Sequence, residues 1–80
     1  MMISVELSYY PLAEDYKPPI REFIARLQKS GVDVRPNAMS THLFGEYDDV
    51  MDLVNEAIRW SFETHGKAAF VAKYIEGDRR

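Results

Sequence analysis

Along the first ten residues Ile3, Val5, Leu7 and Tyr9 alternate with Ser4, Glu6, Ser8 and Tyr10, the period-two pattern of a strand with one buried and one more polar face. Pro11 ends the alternation, and Leu12 to Tyr16 read as a loop. Pro18 and Pro19 stand where a first helical turn tolerates missing N–H donors and a preset φ. Ile20, Phe23, Ile24 and Leu27 then fall at i, i+3, i+4 and i+7, one apolar stripe, while Arg21, Glu22, Arg26 and Lys29 face water. Gly31 is placed to close this helix as a left-handed cap residue.

Val32 and Val34 alternate with Asp33 and Arg35, a short second strand that Pro36 confines to a sheet edge. A turn begins at Pro36-Asn37. Thr41 to Tyr47 read as a third strand carrying Leu43 and Phe44, with Gly45 marking a bulge or a close backbone approach. Asp48 and Asp49 are N-cap candidates for a longer helix carrying Val50, Leu53, Val54, Ala57, Ile58 and Phe62, which stops near His65-Gly66. Ala68 to Ile75 form the fourth strand. Phe70 and Tyr74 point opposite to Val71 and Ile75, so this strand is apolar on both sides. The polar tail Gly77-Asp78-Arg79-Arg80 is expected to fray.

Strand, helix, strand, strand, helix, strand is the order of an α+β, ferredoxin-like βαββαβ sandwich. The expected architecture is a four-stranded antiparallel sheet with two helices on one face, and residues 1–80 form a single domain. A chain of this length buries only about 60–65% of its unfolded surface, so the core is thin. The uncovered sheet face and the two-sided fourth strand predict a homodimer or higher assembly, packed sheet against sheet or strand against strand.

Composition narrows the function classes. There is no cysteine, which removes disulfides and thiolate metal sites and makes a reducing, cytoplasmic location the expectation. Met1 to Tyr10 lack a basic n-region and carry Glu6, and no run of ~18 apolar residues exists to span a membrane. A net charge of −3 with both signs interspersed gives no reason to collect nucleic-acid phosphates.

Catalytic signals are weak. His42 and His65 lack a second ligand at metal-site spacing, and the pairs Glu14-Asp15 and Asp48-Asp49 fit a loop and a helix start better than acid–base work. Ser8, Ser30, Ser40 and Ser61 have neither a G-x-S-x-G elbow nor a Ser-x-x-Lys spacing. The four glycines are scattered singly, so no phosphate loop exists. Strand three reads Thr41-His42-Leu43-Phe44-Gly45-Glu46-Tyr47, short of the basic, aromatic octapeptide of RNA-recognition domains. Trp60 reads as a packing residue. The expectation is a binder without metal or cofactor rather than an enzyme; a dimeric ferredoxin-like isomerase would have to rest on His42 alone.

One segment is denser in small polar groups than a hairpin requires: Asn37-Ala38-Met39-Ser40-Thr41. An amide, two hydroxyls and turn backbone can donate to and accept from a flat polar heterocycle, and Tyr10 offers stacking area. A plain hairpin connection explains the same residues equally well.

Ser8-Tyr9-Tyr10-Pro11-Leu12, Lys29-Ser30-Gly31-Val32 leading to Asn37-Ala38-Met39-Ser40-Thr41, and Gly45-Glu46-Tyr47-Asp48-Asp49-Val50 together resemble the thiamine-binding, YkoF-like family of small ferredoxin-like proteins. The resemblance covers nearly the whole chain. It implies a non-enzymatic binder of thiamine or its hydroxymethylpyrimidine half, working as an assembly of such domains. Carried onto this sequence, the site comprises Ser8, Tyr10, Asn37, Met39, Ser40 and Thr41. Asn37, Ser40 and Thr41 would pair with an aminopyrimidine edge, Ser8 would assist, and Tyr10 or Met39 would cover the ring. A cationic thiazolium would welcome a carboxylate, for which Glu6 and Glu46 are both candidates. An interaction or regulatory module without a small ligand is the alternative.

Overall fold

In the computed structural model, which describes residues 1–80, the alternating segment forms strand β1 (Met2–Pro11). The prolines open helix α1 (Lys17–Gln28) within its first turn. Strands β2 (Asp33–Pro36) and β3 (Thr41–Glu46) make a hairpin, helix α2 (Tyr47–His65) follows without a loop, and β4 (Ala68–Glu76) completes the chain. The sheet order is β2-β3-β1-β4, and every neighbouring pair is antiparallel. Both helices lie on one face of it, the ferredoxin-like α+β arrangement expected from the pattern. No helix is long and apolar enough to cross a membrane.

The core is the meeting of three apolar stripes. β1 contributes Ile3, Val5 and Leu7, α1 contributes Phe23 and Leu27, and α2 contributes Val50, Val54 and Ala57, with Leu43 from β3. Register places Leu43 between Val5 and Val34, so the period-two faces of three strands coincide. Side chains such as Leu27, Leu43, Val50 and Val54, removed entirely from water, each contribute about 1.5–3 kcal/mol of apolar burial. Gly45, opposite Ile3, permits a close approach: a Cβ there would stand 3.2 Å from Val50 Cγ2.

Several local expectations need correction. Asp48 and Asp49 do not cap α2; the chain passes from strand to helix at Glu46, and the two carboxylates sit inside the first turn, where they complement the helix dipole. Gly31 adopts a left-handed φ of 87° two residues beyond the C-cap, Lys29, rather than at the end of α1.

The tail does not fray. Gly77 N donates to Met2 O at 2.8 Å, Ser4 Oγ donates to Gly77 O at 2.8 Å, and Arg79 N donates back to Ser4 Oγ at 2.9 Å. Arg80 pairs with Asp78 and reaches Asp33 of β2 at 3.2 Å. The tail thus straps part of the sheet face that the helices leave open, and the guanidinium groups of Arg35 and Arg80 lie 5.2 and 5.9 Å from the Phe44 ring centroid. The signal missed in the sequence was Ser4, a polar residue placed to hold backbone folded back over it. Hydrogen bonds from Arg80 lower the Asp78 carboxyl to about 2.

The same open face carries a row of ionisable side chains. Cross-strand register aligns Arg35 with His42, His42 with Glu6, and Glu6 with Lys73. Glu6 lies 3.2 Å from His42 Nε2 and 3.4 Å from Lys73 Nζ, and accepts from Ser40 Oγ at 3.2 Å. The His42 hydrogen bond first, then those of Lys73 and Ser40, hold the Glu6 carboxyl below the usual carboxylate range.

Candidate functional site

At the end of the sheet where β1 runs out, a cavity of about 320 Å³ opens between α1 and the β2–β3 hairpin. Three segments line it: Leu7, Tyr9, Tyr10 and Pro11 of β1; Tyr16, Ile20, Phe23 and Ile24 at and within the start of α1; and the whole corner Asn37 to Thr41. Its size suits a single small ring system. A depression of about 210 Å³ on the open face, around Glu6, His42, Lys73 and Arg79, is shallower.

Each wall has a local cause. The prolines start α1 at the height of the cavity, so the first residues of its apolar stripe, Ile20 and Phe23, reach the site before the stripe enters the core. Tyr9 leans on Phe23 with ring centroids 4.9 Å apart and stacks on Phe70 at 4.6 Å, making an aromatic wall. Ser61, wholly buried on α2, donates to the Tyr9 phenol at 2.8 Å.

The corner is held by Asn37. Its Oδ1 accepts from Met39 N at 2.9 Å and Ser40 N at 3.0 Å, while its own N–H donates to Ser40 O at 2.9 Å. This is a closed Asx turn. It engages the carbonyl end of the amide and leaves the two Nδ2 donors for another partner. Thr41 pairs with Leu7, which puts its side chain on the helix side of the sheet, and it is nearly buried.

The structure therefore brings Tyr10, Asn37, Met39, Ser40 and Thr41 around one cavity and leaves Ser8 outside it. Ser8 pairs with Val71 and faces the open side of the sheet. Ser40 borders the cavity, but its hydroxyl is directed to Glu6. Tyr10, Tyr16 and Met39 stand at the mouth with 52%, 50% and 87% of their surface exposed, an apolar rim with unused contact area.

Sequence reading missed the α1 wall. Tyr16 falls in the loop before the helix and Ile20, Phe23 and Ile24 in its apolar stripe, and the available signal is that this stripe begins directly after the double proline. No carboxylate, amine, guanidinium or imidazole lines the cavity. Neither thiazolium candidate enters it, since Glu6 belongs to the opposite face and Glu46 pairs with the N-terminal amine at 3.2 Å.

The two histidines lie apart. His42 joins the open-face row, whereas His65 ends α2, edge-on to Trp60 at 5.5 Å, with Nε2 3.5 Å from Glu22 and no hydrogen bond. Trp60 is half-buried against the core and lies under the Arg26 guanidinium at 4.8 Å, which is itself paired with Glu56.

Comparison with known proteins follows the same outline. A protein from Streptococcus pneumoniae superposes with a TM-score of 0.90 at 26% identity, over 99% of this chain and 90% of its own. A candidate thiamine biosynthesis/salvage protein from Thermotoga maritima superposes with a TM-score of 0.85 at 19% identity, over 96% and 85%. A domain of unknown function from Bacillus cereus does so with a TM-score of 0.81 at 23% identity, over 99% and 79%. The latter two likenesses speak to the fold alone. No curated protein matches the chain. Residues 5–78 match the family described as thiamine-binding protein, and the chain accordingly belongs to the thiamine-binding protein family.

Proposed function

We propose that the protein binds, without chemical conversion, a small neutral aminopyrimidine, either hydroxymethylpyrimidine or the corresponding half of thiamine, in the cavity between α1 and the hairpin. The observation that carries this reading is the cavity's composition: aromatic and aliphatic walls, Asn37 and Thr41 among the lining residues with an amide and a hydroxyl able to donate, and no charged group. A flat ring gains apolar burial against Tyr10, Tyr16 and Met39, while the two donors meet ring nitrogens. A thiazolium, which carries a fixed positive charge, is better left at the mouth, since the interior offers nothing to compensate its desolvation. Membership of the thiamine-binding family supports the same ligand class.

In this reading no covalent step occurs and no cofactor takes part. The protein works in the cytoplasm as a homodimer or larger assembly, a buffer or carrier of the ring rather than an enzyme. Calorimetric titration with hydroxymethylpyrimidine and with thiamine tests it. Saturable binding of both, with the thiazolium adding little, is the expected result. Absence of heat at millimolar ligand, with folded protein, overturns the reading and leaves an interaction module without a small ligand. Trp60 lies outside the cavity lining, so its fluorescence is a poor substitute for heat.

A further inference from the structure

Where α2 ends, one buried polar atom has no partner. Nε2 of His65 is closed off from water and makes no hydrogen bond, although Glu22 Oε1 of α1 lies 3.5 Å away. A buried group left unsatisfied costs stability and calls for a physical reason. With its proton on Nδ1, a neutral imidazole turns a lone pair toward the carboxylate, so that two acceptors face each other. A proton on Nε2 converts the same contact into a donor–acceptor pair, and an imidazolium makes that pair charge-assisted.

The neighbouring charges suit such a pair. His65 stands in the last turn of α2, at the negative end of the helix dipole. Glu22 has no lysine or arginine partner of its own. Of the cations nearby, Arg26 of α1 is held by Glu56, and Arg59 is paired with Glu63 at 3.6 Å on α2 itself. Lys67, just beyond Gly66, is exposed to water. Glu22 also stands between Ile20 and Phe23, two residues of the cavity wall, so whatever holds Glu22 holds that turn of α1.

We infer that His65 and Glu22 form a pH-dependent clamp, in which the protonated imidazole bonds the carboxylate and fastens the end of α2 to the cavity-lining turn of α1. The clamp is independent of what the cavity binds. Histidine ordinarily changes charge between about pH 5 and pH 8, so the clamp closes as pH falls through that interval and opens as pH rises through it.

Trp60, the single tryptophan, reports on this step. Its ring meets the His65 ring edge-on at 5.5 Å, and an imidazolium quenches an adjacent indole more than a neutral imidazole does. The other histidine, His42, belongs to the open face of the sheet and is paired with Glu6. In the full chain without ligand, Trp60 fluorescence should fall as pH drops through the interval, and His65→Gln should abolish the fall.

Thermal melting supplies the second readout. Glu22→Gln, at a carboxylate with 54% of its side chain exposed, should lower Tm by about 2–6 °C near pH 5.5, and by much less near pH 8. In a His65→Gln background the same change should cost equally at both pH values. Should His65→Gln fail to fold, the two melts of Glu22→Gln decide alone. Constant Trp60 fluorescence across the interval, a fall that survives His65→Gln, or an equal Glu22→Gln loss at both pH values overturns the clamp.

Discussion

The hydroxyl of Ser61, on the buried side of α2, donates a 2.8 Å hydrogen bond to the phenol of Tyr9, which lines the candidate cavity. One polar bond thus joins the helix layer to the aromatic wall of the site. Replacing either partner alone strands the other in a largely apolar surrounding, which costs about 1–3 kcal/mol, whereas removing both together is far less harmful. Urea unfolding of Ser61→Ala, Tyr9→Phe and the double variant should show the double variant losing clearly less than the sum of the singles. Additive losses would mean the bond does not couple the two layers.

Asn37 has two separable jobs in this account. Its Oδ1 shapes the turn, and its Nδ2 donors remain for a ligand. Asn37→Asp keeps the acceptor and replaces the donors, so it should retain thermal stability while weakening hydroxymethylpyrimidine binding by about tenfold or more, the effect of losing a hydrogen bond of ~1–3 kcal/mol. Asn37→Ala should lose both binding and stability. Paired melting curves and calorimetry separate the two effects.

Neither Glu6 nor Glu46 lines the cavity: Glu6, which accepts from Ser40 at the cavity's border, is already paired with Lys73, and Glu46 with the N-terminal amine. Glu6→Gln and Glu46→Gln should therefore change affinity for thiamine by less than about twofold, since exposed charges at a distance are screened by salt. A large loss in either variant would place a carboxylate beside the thiazolium after all.

Folding lowers the Asp78 carboxyl from 3.8 to about 2, chiefly through hydrogen bonds from Arg80. A folded pKa below the unfolded one contributes stability that is complete above the unfolded value and disappears as pH falls through the folded value. The Asp78–Arg80 pair should therefore hold at pH 5 and release between about pH 4 and pH 2, while the uncharged Gly77–Met2 and Ser4–Gly77 hydrogen bonds stay. The Arg80 side-chain N–H shifts should move in that window, and Asp78→Asn should give the released shifts already at neutral pH.

The fold was legible because its determinants are periodic. The alternation in β1, the i, i+3, i+4, i+7 stripe of α1 and the proline at the end of β2 each fix an element and the face it buries. The hairpin corner stood out by composition, three polar side chains in five residues, and part of that polarity closes the turn itself through Asn37. What escaped was the relation between elements. Nothing local to Ile20 or Tyr16 states that they face Asn37 across a gap, and the period-two rule puts Ser8 on the open face only once the buried face is known. The tail escaped for the same reason, since its order depends on Ser4, seventy-three residues upstream of Gly77.

The most direct test of the central claim is an NMR titration of the full chain with hydroxymethylpyrimidine, mapping backbone shifts residue by residue. Saturable shifts concentrated at Tyr10, Tyr16, Asn37, Met39 and Thr41, with Glu6, His42 and Lys73 little moved, are the expected result. Shifts centred on that open-face row instead, or none at millimolar ligand, would contradict it.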